Sequence, residues 1–243
     1  MPLWLLTGIG LAVDYILDGF IQALHLLFSR DSETFSAVRA TLLVSSYSMA
    51  ASLLIGIPLG FLIGYTDFPG KKAIRTVVDT LLAFPTVLIG LLVYIFISRR
   101  GPLGEFELLF TLKGIAIGLT VLALPIIVAL TATAIESLDQ RVQTTLLTLG
   151  ASRKQLLTGM IVEAKYGVFA AAVTAFGRVL TEVGIAMMVG GNIKWYTRTM
   201  TTAIALETNK GEFAMGIALG MVLLLIALAV NISLTSLRKS SRR

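Results

Sequence analysis

The sequence predicts an all-α integral membrane protein with about five transmembrane helices and an N-terminal interfacial helix. Three observations carry this prediction. The 243-residue chain is 56% hydrophobic and only 14% charged, with a mean hydropathy of +0.87, outside the usual range of a water-soluble domain. Several apolar stretches reach the roughly 20 residues that a helix needs to cross a hydrocarbon core of about 30 Å. Polar segments rich in turn residues separate them and leave little chain for a separate soluble domain.

Composition also excludes function classes. Without cysteine there is no disulfide, thiolate nucleophile or cysteine-based metal site, and a single histidine, His25, argues against a histidine metal cluster. The net charge of +6 is read as orientation in the membrane and contact with anionic headgroups, so a nucleic-acid partner is set aside.

Residues 1–35 form an N-terminal segment. Residues 1–28 are apolar but carry Asp14, Asp18 and His25, and no basic region precedes the apolar core as it would in a signal peptide. Leu17, Phe20, Ile21, Leu24 and Leu27 or Phe28 recur at helical spacing. This favours an amphipathic helix lying in the interface, with a sixth span as the alternative. The run Ser29-Arg30-Asp31-Ser32-Glu33 breaks it, with Ser32 as the candidate cap of the next helix.

Residues 36–243 form the transmembrane domain. The first span is placed at 37–65, where Gly56, Gly60 and Gly64 put three small residues on one face for close helix packing, and Pro58 requires compensation from neighbours. A basic turn through Lys71 and Lys72 leads to a second span at 76–97. That span contains Phe84-Pro85-Thr86, and Asp79 near its start reads as a snorkelling or capping residue. After the loop Arg99-Arg100-Gly101-Pro102, the third span at 114–135 contains Leu124-Pro125. Pro85 and Pro125 are either ordinary kinks or points where freed carbonyls face a pathway.

From 136 to 163 the apolar run stops. Leu138, Val142, Leu146 and Leu149 recur at helical spacing, and Gly150 then supplies the left-handed residue that closes a helix. Ser152 with Gln155 three residues later fits a capping box opening a second short helix. The predicted unit is helix, sharp turn, helix on one side of the membrane. It is either a loop lying on headgroups or a knob that fits a groove on a soluble partner.

The fourth span, at 167–189, carries Arg178 and Glu182, four residues apart and therefore able to pair on one helix face. Charges in this setting face the protein interior or water. The pair either fixes helix packing or acts on an anion path, Arg178 attracting and Glu182 restraining it. Gly190-Gly191-Asn192 opens a polar loop to Glu212, and a last span is placed at 213–234. With five spans and an outside N-terminus, eleven lysines and arginines fall on the cytoplasmic side against eight on the other, which points to a cytoplasmic C-terminus.

The turn Gly150-Ala151-Ser152-Arg153 between short helices resembles the cytoplasmic coupling loop of binding-protein-dependent ABC importer permeases. Glu163-Ala164-Lys165-Tyr166-Gly167, Phe176-Gly177-Arg178 with Glu182-Val183-Gly184, Val189-Gly190-Gly191-Asn192-Ile193 and Thr201-Thr202-Ala203-Ile204 are similar to motifs of the tungstate permease branch. The chain departs from the superfamily pattern at Thr144-Thr145-Leu146, where Glu-Ala-Ala stands, and at Val162-Glu163, where Leu-Pro stands.

The resemblance implies the type I ABC importer permease fold, in the plasma (inner) membrane of a prokaryote. It implies a permease homodimer, two cytoplasmic ATPase subunits, and an extracytoplasmic binding protein delivering tungstate or molybdate. Gly150, Ala151, Ser152, Arg153, Lys154, Gln155, Leu156 and Leu157 then couple the spans to the ATPase. Pro85, Thr86, Pro125, Arg178 and Glu182 are the candidate lining of the path. The chain has no Gly-x-x-x-x-Gly-Lys-Ser/Thr loop, so ATP and magnesium are expected at the partner subunits, with no cofactor in this chain. A channel or membrane anchor acting without ATP is the alternative, and no nucleophile-base pair or carboxylate pair supports an enzyme.

Overall fold

The computed structural model describes residues 19–240, and among these every regular element is helical. The order is α1 (Gly19–Phe28), α2 (Ser32–Tyr65), α3 (Lys71–Leu82), α4 (Thr86–Ile97), a single 3-10 turn (Gly104–Phe106), α5 (Leu112–Glu136), α6 (Gln140–Thr148), α7 (Arg153–Glu163), α8 (Lys165–Leu180), α9 (Gly184–Gly190), α10 (Met200–Lys210) and α11 (Phe213–Ser240). Three helices are long and apolar enough to cross a membrane, namely α2, α5 and α11 over Phe213–Val230. Counting the bent pairs α3–α4 and α7–α8 as one span each gives up to five.

The centre of the bundle is the pairing of α2 with α5. The three glycines predicted to pack closely do so: a Cβ on Gly56 would lie 2.8 Å from Ile127, on Gly60 2.7 Å from Thr131 and from the Val128 carbonyl, and on Gly64 2.7 Å from the Ala132 carbonyl. The contacts advance together along both chains, so the two helices run parallel with backbones in near contact. Pro58 is accommodated inside a continuous α2, and Pro125 inside a continuous α5. Around this pair, Ile89, Val93, Ile115, Leu119, Ile127, Ile185 and Val189 join α4, α5 and α9 in the main core.

Several elements differ from expectation. Asp31, not Ser32, caps α2: its carboxylate accepts the Thr34 N–H at 2.8 Å. The second span is not continuous, because α3 and α4 meet at 100° around Ala83-Phe84-Pro85. Pro85 has no N–H to continue the ladder, so it stands as the N-cap of α4 instead. The 12 residues of α4 reach about 18 Å, short of a full hydrocarbon core. Asp79 lies in the later part of α3 and pairs with Arg75 at 3.7 Å, so it caps nothing.

The fourth span is also broken, between Leu180 and Gly184, and the polar stretch from Gly190 to Glu212 is not all loop but holds the 11-residue helix α10. In α1 the small residues Gly19 and Ala23 face inward, Gly19 against Ile217, while Phe20, Ile21 and Phe28 point outward. Leu17, and whether residues 1–28 span, lie outside the described residues.

Candidate functional site: a preformed turn and two facing helix breaks

The helix-turn-helix expected at 136–163 forms as its local sequence dictates. Asp139 caps α6 by accepting the Arg141 N–H at 2.9 Å. At its other end Gly150, at φ 77°, takes the left-handed conformation that reverses the chain. The Gly150 N–H then reaches the Leu147 carbonyl at 3.0 Å and the Ala151 N–H the Leu146 carbonyl at 3.0 Å, the two bonds of a Schellman closure. Ser152 and Gln155 complete the capping box, the Ser152 N–H donating to the Gln155 side chain at 2.8 Å and the Gln155 N–H to the Ser152 hydroxyl at 3.4 Å. All of these bonds lie inside the turn, so the unit is preformed.

Its surface mixes exposed leucines with exposed polar side chains. Leu149 is 78% exposed beside the turn, and Leu147 and Leu157 are also exposed, while Leu156 is buried against the bundle side. Lys154 and Gln155 are exposed at the start of α7. The root of the hairpin is fixed: Met160 and Ala164 pack with Ile135 at the end of α5 and with Phe61 and Tyr65 at the end of α2. Above the root an apolar groove of about 830 Å3, lined by Pro58, Phe61, Leu147 and Ile161 among others, separates the hairpin from α2. The hairpin is therefore rigid within itself and attached at one end.

The second feature joins residues distant in sequence. Gly184, at the start of α9, lies against the start of α4: a Cβ there would be 3.4 Å from Val87 and 3.7 Å from the Thr86 hydroxyl oxygen. The α3–α4 break and the α8–α9 break therefore face each other. Of the residues expected on the path, Pro85, Thr86, Arg178 and Glu182 are gathered around this junction. Pro125 is apart from them, buried on α5 in an apolar cavity of about 850 Å3 that Phe84 and Ile89 also line.

Arg178 and Glu182 do pair, Nη1 to Oε2 at 2.8 Å, but not along one helix face. Arg178 is in the last turn of α8 and Glu182 sits in the break. Glu182 is 4% exposed, and its other oxygen accepts the Ile185 N–H at 3.2 Å, satisfying the start of α9. The Arg178 side chain is 40% exposed, so one end of the pair is held in protein and the other reaches outward.

The break leaves the Glu182 carbonyl outside any helical ladder, a costly state at membrane depth unless another donor reaches it. Thr201 is that donor, its hydroxyl at 2.8 Å. Nothing local in the sequence signals this role, although Thr201 belongs to the Thr201-Thr202-Ala203-Ile204 motif and Thr199 with Thr202 spells the capping box that opens α10. The first residue of α10 is tied to α2 by the Met200 N–H on the Thr41 hydroxyl at 2.8 Å. Thr201→Val is expected to cost about 1–3 kcal/mol in unfolding free energy, by leaving a buried carbonyl unpaired, while Thr201→Ser stays near wild type. Thermal unfolding in detergent measures both.

At the end of the bundle opposite the hairpin, Glu33 accepts Lys194 at 2.6 Å and Arg198 at 2.7 Å, and the buried Glu207 accepts Lys210 at 3.0 Å. The Glu33 pairs fix the loop leading into α10 to the start of α2, Arg198 also stands 3.9 Å from Glu207 on α10, and the Glu207–Lys210 pair lies within α10 itself. No group of acidic or histidine side chains that could hold a metal occurs among the described residues.

Comparison with known proteins places this geometry. Residues 56–243 match the family model described as binding-protein-dependent transport system inner membrane component. The tungstate uptake system permease protein TupB of Campylobacter jejuni is 50% identical over 94% of this chain and 95% of its own. TupB of Peptoclostridium acidaminophilum is 38% identical over 93% and 100%, and the molybdenum transport system permease protein ModB of Escherichia coli K12 is 30% identical over 79% and 90%. In fold, the chain superimposes on an inward-facing crystal structure of the MetNI methionine ABC transporter with a TM-score of 0.71 at 18% identity, covering 87% of this chain and 97% of that one.

Proposed function

Because the chain belongs to the family of binding-protein-dependent transport system inner membrane components, we propose that it is the permease of an ABC importer that carries tungstate, with molybdate as the neighbouring substrate, into the cytoplasm. It is a multi-pass membrane protein and not itself an ATPase, hydrolysis belonging to separate subunits. The observation that carries the reading is the preformed hairpin of α6 and α7, anchored at its root and with Leu147 and Leu149 exposed. A channel has no use for such a knob. Two permease copies, two ATPase subunits binding ATP and magnesium, and an extracytoplasmic binding protein complete the assembly.

In this reading the hairpin end is cytoplasmic, as is the C-terminus, and the Glu33–Arg198 end faces the binding protein. Nucleotide-driven movement of the hairpin passes to the spans as rigid-body motion between two arrangements, and the coupling rests on contacts that differ between them. The facing breaks are the place where the path opens and closes, since irregular backbone at membrane depth is found where it lines a cavity or a gate. A dianionic tetrahedral oxyanion is guided there by Arg178 and by hydroxyl donors such as Thr86. It is released because the charge of Arg178 is shared with Glu182.

Arg178→Ala is expected to lower tungstate uptake by about tenfold or more at unchanged assembly, the loss of one charge-assisted contact. Glu182→Gln, which keeps shape but removes the counter-charge, is expected to slow uptake, because Arg178 then holds the anion unshared. Uptake in proteoliposomes containing all subunits checks both, and full activity of Arg178→Ala with normal assembly would remove Arg178 from the path.

A further inference from the structure

Helix α3 carries no buried residue, yet it lies firmly along the end of α5. What holds it is mainly Arg75. Its Nη1 donates to the Ala129 carbonyl at 3.0 Å and its Nη2 to the Thr133 hydroxyl, while Glu136 Oε2 stands 3.8 Å away and Asp79 3.7 Å from Nε. Ala129, Thr133 and Glu136 lie on one face of the last two turns of α5. Lys71 reinforces the same attachment at 3.7 Å from Glu136, and Val78 adds an apolar contact with the Ile63, Val128 and Ala132 cluster.

The end of α5 is shared. On one side Ile135 carries the root of the docking hairpin through Met160 and Ala164. On the other, Arg75 carries α3, and α3 leads directly into the break at Pro85 and hence to Thr86 against Gly184. Apolar side chains alone would let α3 slide, whereas a planar guanidinium bridging a carbonyl, a hydroxyl and a carboxylate fixes both position and rotation.

We propose that Arg75 is a positioning residue that straps α3 to the hairpin-bearing end of α5, so that movement of the hairpin is delivered to the α3–α4 break. This inference rests on the coupled-importer reading above, and it adds the link by which the docking turn acts on the path. Without Arg75 the hairpin still docks and the ATPase still turns over, but α3 no longer follows.

The test reconstitutes the full complex, with ATPase subunits and tungstate-loaded binding protein, in liposomes, comparing wild type with Arg75→Gln and Arg75→Lys. Arg75→Gln is expected to lower tungstate taken up per ATP hydrolysed by about tenfold or more while hydrolysis continues. Arg75→Lys keeps the charge but reaches fewer acceptors at once, and falls between. Because the chain has no cysteine, spin labels at Thr76→Cys and Ser137→Cys report the α3–α5 distance independently of transport. One narrow population is expected in wild type and a broadened one with Arg75→Gln. An unchanged uptake-to-ATP ratio overturns the proposal, and so does an unchanged distance distribution. A wild-type complex that takes up no tungstate with ATP contradicts the function, not the strap, and the label distances still decide the latter.

Discussion

Gly150→Val in the docking turn is expected to strip the ATPase subunits from the purified complex and to abolish ATP-driven uptake. The reason is backbone conformation alone. Gly150 has φ 77°, and no atom lies within 4 Å of where a Cβ would stand, so valine meets no clash. A β-branched residue in the left-handed region costs about 1–3 kcal/mol, and the turn relieves that cost by giving up the Schellman closure. Leu147 and Leu149 then leave the positions in which a partner meets them. Gly150→Asn, whose side chain tolerates the left-handed region, is expected to retain most of the ATPase. Co-purification through an affinity tag on the ATPase measures all three, and retention by Gly150→Val at the wild-type level would show that the turn is not the dock.

Gly60→Leu is expected to be worse still, because it acts on the fold. Its Cβ would stand 2.7 Å from both the Thr131 side chain and the Val128 carbonyl, and the carbonyl belongs to backbone that cannot yield without separating α2 from α5. Overpacking of this kind costs about 3 kcal/mol or more. In lipid, where close small-residue contact is the main source of helix association, no hydrophobic gain offsets it. The variant is expected to fall several-fold in membrane abundance and to lose its cooperative melting transition, with Gly60→Ala intermediate. A wild-type melting temperature for Gly60→Leu would contradict the near contact of the two helices.

What was legible in the sequence follows the range of the interactions. The docking turn was readable because its determinants are local: Gly150 as a left-handed closer, Ser152 with Gln155 as a capping box, each acting within a few residues. The glycine stripe at 56, 60 and 64 was readable because helical period fixes which residues share a face. The break at Pro85 had a visible cause, but proline also sits inside the continuous helices α2 and α5, so the residue alone does not say which outcome follows.

The second break had no visible cause in the sequence. Thr181-Glu182-Val183 contains no proline or glycine, and its geometry depends on Thr201, 19 residues away, and on the Glu182 side chain turning back to Ile185. Helix α10 was hidden by polar composition, since a stretch with Glu207, Lys210 and three threonines reads as loop until Arg198 and Thr41 are seen to hold it against α2. Nothing in the sequence marks Arg75 among the other lysines and arginines, and only the structure shows it bridging to α5.

In the proposed function this chain moves an oxyanion only when a docked ATPase drives it. Tungstate uptake into proteoliposomes holding the permease, its ATPase subunits and the binding protein tests this most directly. Uptake is expected to need both ATP and the binding protein and to disappear with Gly150→Val. Flux through the permease alone, unaffected by nucleotide and by changes at the turn, would contradict it and identify a channel instead.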